Sequence, residues 1–355
     1  MLKIKPHLND VIRKNTYVDK SQYKWRLDQS ERVSGYSSDF FNNFIKTLDD
    51  TDFICYPYLK EFKYKLAQHH GITSINNLFV TPGSDQCIKA MFDLCVTPGS
   101  EVLSTNPCFP MYDVYSQLYQ AKLKTVEYDN DLNWHIKDMI EKVNKNTSLI
   151  IIANPNNPIG DYKEEKELKE LFIHTHEMGI PILIDEAYVQ FVPKRLDRCL
   201  FSGYKYQNVV TCRTFSKALG GAGIRIGYMV SNKRFIEKLE KWRIMHEITG
   251  PAVKFGIYVL DNYSEVETYI DLTNREKSTI IEMLSSKYDI INGYCNWIHL
   301  NNSKDNENTC SILDTHSDLI YKAGTTIPHD NRKNWLRLTI GPNISQTKFI
   351  KELLN

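Results

Sequence analysis

A chain of 355 residues exceeds what one hydrophobic core usually serves, so two lobes are expected. Hydrophobic residues at 42% and aromatics at 12% suffice for packed cores, while a net charge of +1 from 44 basic and 43 acidic residues argues against a dedicated nucleic-acid or membrane surface. The segment Met1-Leu-Lys-Ile-Lys-Pro-His7 has no continuous apolar stretch and no run elsewhere approaches a membrane span, so a soluble, cytoplasmic protein is expected.

Residues 1 to about 50 are polar, aromatic-rich and weakly periodic. They predict an arm plus one helix near Ser38–Leu48, with Leu27-Asp-Gln-Ser-Glu-Arg32 extended and ending in a charge. An amphipathic helix over Tyr58–His69 follows, stopped by Gly71. Leu78-Phe-Val-Thr-Pro82 reads as a short strand that runs into Gly83-Ser84-Asp85, after which Cys87–Val96 continues as a helix with Ser84 or Asp85 near its cap. Strand, glycine, helix N-terminus is a geometry that binds phosphate through free backbone amides; an ordinary capped helix in an α/β sheet has the same pattern. Further strands are expected at Glu101–Thr105, Leu123–Glu127, Leu149–Ala153, Pro181–Asp185, Val209–Cys212 and Ile226–Val230, interleaved with helices such as Glu164–Glu177. Near-continuous apolar strands between amphipathic helices predict an α/β fold with a mostly parallel seven-stranded sheet, covered on both faces.

Beyond a charged helix at Lys233–Glu247 the pattern changes to longer helices, roughly Ala252–Tyr263 and Glu265–Ser286, and short strands such as Trp297–Leu300 and Trp335–Thr339. This predicts a large domain over 50–245, and a smaller α+β domain over 246–355 completed by residues 1–49. Eight cysteines at 55, 87, 95, 108, 199, 212, 295 and 310 form no Cys-x-x-Cys pair and read as reduced thiols. Histidines at 69/70 and 174/176 lack a third ligand at metal spacing and read as solvated helix ends, so no metal site is expected.

Ligands of such sheets gather at the carboxyl ends of the strands. There stand Asn156-Asn157-Pro158, Asp185-Glu-Ala-Tyr188 and, after Val209–Cys212, the run Thr214-Phe-Ser216-Lys217-Ala-Leu-Gly-Gly-Ala-Gly223-Ile-Arg225. A lysine flanked by hydroxyls and small residues, with an arginine eight positions on, suits a phosphorylated aldehyde held as a Schiff base with its phosphate gripped nearby. Taken alone, the same run also reads as a surface lysine at a strand end. Gly221-Ala-Gly223-Ile-Arg-Ile-Gly227 is no dinucleotide fingerprint, because it precedes a strand rather than opening a helix.

Four motifs occur in order: Gly83-Ser84-Asp85-Gln86, Asn154-Pro-Asn-Asn-Pro-Ile-Gly160, Asp185-Glu-Ala-Tyr188, and Ser216-Lys217 with Arg225. Through them, over residues 52 to 232 and again 335 to 341, the chain resembles the fold type I pyridoxal-phosphate aminotransferases, specifically the histidinol-phosphate aminotransferase branch. The resemblance implies pyridoxal 5′-phosphate as cofactor, bound to Lys217 as an internal imine. Lys217 would then shuttle a proton between the substrate α-carbon and the cofactor, and Asp185 would pair with the pyridine nitrogen and keep it protonated. Asn157 and Tyr188 would hydrogen-bond the ring oxygen, and Phe109, in a place where the family usually has tyrosine, would stack on the ring. The phosphate would take backbone amides of Ser84 and Asp85, hydroxyls of Thr214 and Ser216, and the Arg225 guanidinium. Tyr56 matches a tyrosine that reaches in from the partner subunit, which implies a homodimer.

Arg337, in Leu336-Arg-Leu-Thr-Ile-Gly341, matches the arginine that clamps the substrate carboxylate. Two departures bear on the substrate. A second arginine, usual in a Gly-x-x-x-Arg strand of relatives acting on histidinol phosphate, is missing from Gly324-Thr-Thr-Ile-Pro-His329, and Ser30-Glu31-Arg32-Val33 stands where they have Asn-Glu-x-Pro. Arg32 is therefore expected to help bind the substrate's anionic group, which suits a phosphorylated ketone shorter than histidinol phosphate, such as dihydroxyacetone phosphate, aminated by glutamate. A solvated Arg32 on the arm is the alternative. Rival readings are a decarboxylase of an O-phosphorylated amino acid, which differs in the α-carbon bond broken, and a non-catalytic binding protein on the same fold, against which an intact Lys217 and Asp185 count.

Overall fold

The computed structural model describes residues 5–13, 18–196, 198–301, 306–325, 327 and 335–354. Met1 to Ile4, and Thr326, Pro328 and His329 of the segment compared for a second arginine, lie outside the described residues.

Seven strands form the larger sheet: β1 (Leu78–Thr81), β2 (Glu101–Asn106), β3 (Lys122–Glu127), β4 (Thr147–Ala153), β5 (Ile182–Asp185), β6 (Val209–Thr214) and β7 (Gly227–Val230). Their spatial order is β1-β7-β6-β5-β4-β2-β3. β7 alone runs antiparallel to its two neighbours, so the sheet is mostly parallel. β5, β6 and β7 bury every residue because helices cover both faces, which is why they read as unbroken apolar runs. β3 is one of the two edge strands, and Lys122, Lys124 and Glu127 keep it polar.

One face is packed by apolar residues of Ser84–Cys95, Met111–Leu118 and Lys233–Trp242, the other by those of Ile136–Lys142 and Glu165–Glu177. Register then aligns the site: Ala153, Asp185 and Cys212 are successive partners across β4, β5 and β6, so the loops after these strands open on the same edge. The smaller sheet comprises β8 (Asp289–Ile291), β9 (Trp297–Asn301), β10 (Lys322–Thr325) and β11 (Trp335–Thr339), in the order β10-β11-β9-β8 and antiparallel throughout. Its core takes Leu27 and Val33 from the arm, and Trp25–Arg26 pairs in parallel with Leu319–Ile320. Among the described residues no helix is long and apolar enough to cross a membrane.

Several local expectations need correction. The helix expected over Cys87–Val96 spans Ser84–Cys95, and its N-cap is Gly83 at φ 82° with no side-chain cap. The Asp85 carboxylate instead accepts a hydrogen bond from Tyr115 at 3.0 Å. The helix expected to run to Glu247 ends at Trp242, because Arg243 turns extended and pairs with Glu240 at 2.6 Å and Glu247 at 3.2 Å. β6 continues past Cys212 to Thr214. His69 and His70 are not solvated helix-end residues: the His69 ring packs at a tilt against Tyr263, with centres 4.2 Å apart, and the His70 ring meets the Tyr228 hydroxyl at 2.6 Å. Gly71 ends that helix at φ 66°, a conformation that favours glycine.

Candidate active site

Asp185 ends β5 and is 6% exposed. Its carboxylate accepts hydrogen bonds from the Tyr112 hydroxyl at 3.0 Å and the Ala187 amide at 3.2 Å. Burial pushes its pKa up to about 6, while those bonds, Cys212 and the Lys217 charge pull the other way, so the group is ionised at neutral pH. Glu186, the next residue, faces away and is locked in a buried pair with Arg213 at 2.7 Å. Only the first of these two carboxylates can serve the site.

Lys217 lies three residues beyond the end of β6. Its amine donates to the Gln29 carbonyl at 2.8 Å and sits 5.2 Å from the centre of the Tyr188 ring. Burial first, and the nearby Arg337 charge second, draw its pKa down to about 8. Glu31 and Asp185 oppose that shift.

Below it, β1 delivers Gly83 and the N-terminus of Ser84–Cys95 against β7. A side chain on Gly83 would meet the Arg225 guanidinium, and one on Gly227 would meet the Gly83–Ser84 backbone. Glycine at both positions lets the free amides, the guanidinium and the hydroxyls converge. Thr214 Oγ1 donates to Ser216 Oγ at 3.0 Å, and Arg225 Nη1 donates to Ser216 Oγ at 3.2 Å. This cup has donors on every side and the positive end of a helix dipole beneath, which suits a phosphate dianion. With a partly neutral amine above and a buried carboxylate beyond, the residues fit pyridoxal 5′-phosphate.

Across the opening, Asn157 Oδ1 accepts from Arg337 Nη1 at 3.0 Å and its Nδ2 donates to the Tyr188 hydroxyl at 3.5 Å. Arg337 Nη2 donates to the Asp28 carbonyl at 2.8 Å, and Nε is buried without a partner. Two carbonyls of the arm, from Asp28 and Gln29, therefore face two of the site's cations, Arg337 and Lys217. Phe109 is half-buried, edge-on to Tyr112 with ring centres 5.7 Å apart. Arg32 lies between the rings of Tyr36 and Tyr269, 4.1 and 4.2 Å from their centres, beside Gly220, and its Nη1 is buried without a hydrogen-bond partner. Tyr56 is not brought to this cluster: it is 80% exposed and stacks on His246 at 4.2 Å.

The sequence reading passed over Tyr112, Asp28 and Gln29. Tyr112 stands three positions after Phe109, in the first turn of the helix Met111–Leu118, and its amide donates to the Phe109 carbonyl at 3.0 Å. Nothing local marks Asp28 or Gln29, which act through their backbone.

The model of the family described as aminotransferase class I and II matches residues 45–353. A histidinol-phosphate aminotransferase of Clostridium novyi is 26% identical over 90% of this chain and 88% of its own. One from Thermococcus gammatolerans is 32% identical over 75% of this chain and 73% of its own. Among solved structures, histidinol-phosphate aminotransferase from Sinorhizobium meliloti in complex with pyridoxal-5′-phosphate superposes with a TM-score of 0.83, at 21% identity, over 100% of this chain and 96% of that one. An aspartate aminotransferase mutant from Thermus thermophilus gives 0.79 at 14% identity, over 100% of this chain and 98% of that one. The match to the family model over most of its length, and relatives at this level, place the chain in the aminotransferase class I and II family, as a fold type I, pyridoxal-phosphate-dependent enzyme similar to histidinol-phosphate aminotransferases.

Proposed function

We propose that the protein moves an amino group between glutamate and a small phosphorylated keto compound shorter than imidazole acetol phosphate, such as dihydroxyacetone phosphate. The observation that carries this reading is a second buried guanidinium, besides Arg337, against the loop that follows Lys217. Arg337 is placed near Asn157, and Arg32, beside Gly220, keeps a buried, unpartnered N–H. Arg337 would take the α-carboxylate of glutamate, and Arg32 the phosphate of the keto compound, which has no carboxylate of its own. Relatives named for histidinol phosphate support a phosphorylated substrate class.

When bound, pyridoxal phosphate supplies an aldehyde that condenses with amines and a ring that accepts the electron pair left on the α-carbon. The chain supplies the rest. Backbone amides of Ser84 and Asp85, the hydroxyls of Thr214 and Ser216, and Arg225 would hold its phosphate. Asp185, held in place by Tyr112, would keep a proton on the ring nitrogen. Asn157 and Tyr188 would donate to the ring oxygen, and Phe109 would cover the ring face. Lys217 would take the proton from the substrate α-carbon and return it at the neighbouring cofactor carbon, a task for which an amine titrating near neutrality is suited. Arg337 would clamp the carboxylate of the amino acid. Tyr56, directed outward from this chain, would serve the site of a second copy.

Turnover of a panel of phosphorylated ketones with glutamate tests the reading. A phosphorylated three-carbon ketone should be aminated with equimolar 2-oxoglutarate and no carbon dioxide. Activity confined to the imidazole substrate, or release of carbon dioxide, would overturn it. In R32Q the KM for the acceptor should rise about 10-fold or more, the worth of a lost charge-assisted hydrogen bond, with the KM for glutamate unchanged.

A further inference from the structure

The loop Asn154–Gly160 carries Asn157, and it is held from both lobes. On the large-domain side the Asn156 side chain donates to Thr105 Oγ1 and the Pro107 carbonyl, both at 3.2 Å, and accepts from the Ile159 amide at 2.9 Å. On the other side the contacts come from the small sheet. Trp297 Nε1 donates to the Pro158 carbonyl at 3.1 Å, and His299 Nε2 reaches the same oxygen at 2.8 Å. Trp297 and His299 are two apart in β9, hence on one face, and both are buried. A carbonyl only accepts, so the His299 proton sits on Nε2. Its Nδ1 has no partner, and burial draws the ring's pKa down to about 4, so it stays neutral at working pH.

Three further features tie the same junction. The Tyr294 amide donates to the Gly160 carbonyl at 2.6 Å, and a side chain on Gly160 or Gly293 would strike the other residue's backbone. Lys277, buried in the helix Ser264–Leu284, donates to the Gly293 and Cys295 carbonyls at 2.5 and 2.8 Å and so fixes the segment that leads into β9. Trp297 also touches both of Asn157's partners. Its ring is edge-on to Tyr188 with centres 4.6 Å apart, and the Arg337 guanidinium lies 5.1 Å from it.

The geometry points to Trp297 and His299 as positioning residues: through one shared acceptor, the Pro158 carbonyl, they set where the Asn157 amide stands between Tyr188 and Arg337. Two donors on one carbonyl hold the peptide between Pro158 and Ile159, directly beyond Asn157, against rotation, and the indole supports the two side chains that Asn157 must meet. What the loop is positioned for rests on the function proposed above; that it is positioned from β9 does not.

W297F keeps an aromatic ring and removes the N–H, H299Q keeps a donor, and the W297F/H299L double variant removes both. In the cofactor-free protein, hydrogen exchange at Asn156, Ile159 and Gly160, whose amides are bonded within the loop or to the adjoining Asp161 carbonyl, should rise about 5-fold in W297F and about 20-fold or more in the double variant. It should stay within about twofold of the parent in H299Q, with β4 and β5 unchanged in all three. In the loaded protein the pH midpoint of the cofactor's visible absorption should move up by about half a unit in W297F, because hydrogen bonds to an anionic ring oxygen hold its partner proton less tightly. Loop exchange equal to the parent's in W297F, or a uniform rise across the small sheet with an unmoved absorption midpoint, would reduce both residues to packing and overturn the assignment. If the double variant does not fold, W297F and H299Q decide alone. A protein that takes up no cofactor would sink the functional reading and leave the exchange result to judge the positioning.

Discussion

At Lys217 the environment decides how much reactive amine exists. An ordinary lysine with pKa 10.5 is neutral in about one molecule in three thousand at pH 7, whereas a value of about 8 leaves roughly one in ten. Burial is the larger cause and Arg337 the second, so the two can be separated by mutation. The rate at which cofactor-free protein takes up pyridoxal phosphate should climb with pH to a midpoint near 8. In R337Q, where the repelling charge is gone, the midpoint should move up by about half to one unit, since an ammonium next to fewer cations is easier to keep. A midpoint that falls or stays put in R337Q would refute the electrostatic part of this account. Residue types with their own chemistry were legible in the sequence for this reason: Lys217, Asp185 and Arg337 carry it wherever the chain folds them. Tyr112 and Trp297 were not, because a phenol and an indole are ordinary core residues until the fold brings them to Asp185, 73 positions on, and to Pro158, 139 positions back.

Elements were legible where burial is uniform and obscure where a single backbone conformation sets the end. β4 to β7 showed as apolar runs because both faces of the sheet are covered, and their carboxyl ends located the edge where ligands bind. The start of Ser84–Cys95 did not show, since a side-chain cap was sought and the structure uses Gly83 at φ 82° instead. That choice has a consequence for binding. In G83A the Cβ would meet the Arg225 guanidinium, and the backbone at φ 82°, ψ 163°, a region that glycine alone enters readily, would cost about 1–3 kcal/mol. Arg225 can swing away more readily than backbone can, so the fold should survive while the cup loses its geometry. Cofactor affinity, measured by fluorescence quenching, should drop about 10-fold or more with Tm lowered by only a few degrees. Unchanged affinity at equal Tm would mean that the helix N-terminus and Arg225 are not what holds the phosphate.

Among the described residues, two neighbouring segments of the molecule leave large apolar side chains uncovered. Phe53, Ile54, Tyr56 and Tyr58 of the segment before the helix Lys60–His70 are 68 to 80% exposed, and Ile244 and Met245, in the stretch after Trp242, are 66 and 78% exposed. The stacking of Tyr56 on His246 joins the two segments. Large apolar side chains grouped this way mark an interaction site more often than chance exposure, and each is worth about 1.5–3 kcal/mol once fully covered. A second copy of this chain suits the patch, since a two-fold contact would carry each Tyr56 towards the other copy's cup. On this view the protein should sediment as a dimer at micromolar concentration. I54D/M245D, which sets charges on both segments without touching the sheet cores, should sediment as a folded monomer with unchanged far-ultraviolet circular dichroism. If Tyr56 completes the neighbouring site, that monomer should also hold pyridoxal phosphate about 10-fold more weakly, and raising its concentration until it re-associates should restore binding. A parent protein that is monomeric and fully active would show that the patch faces something other than a second copy, and that the cup needs no residue from outside its own chain.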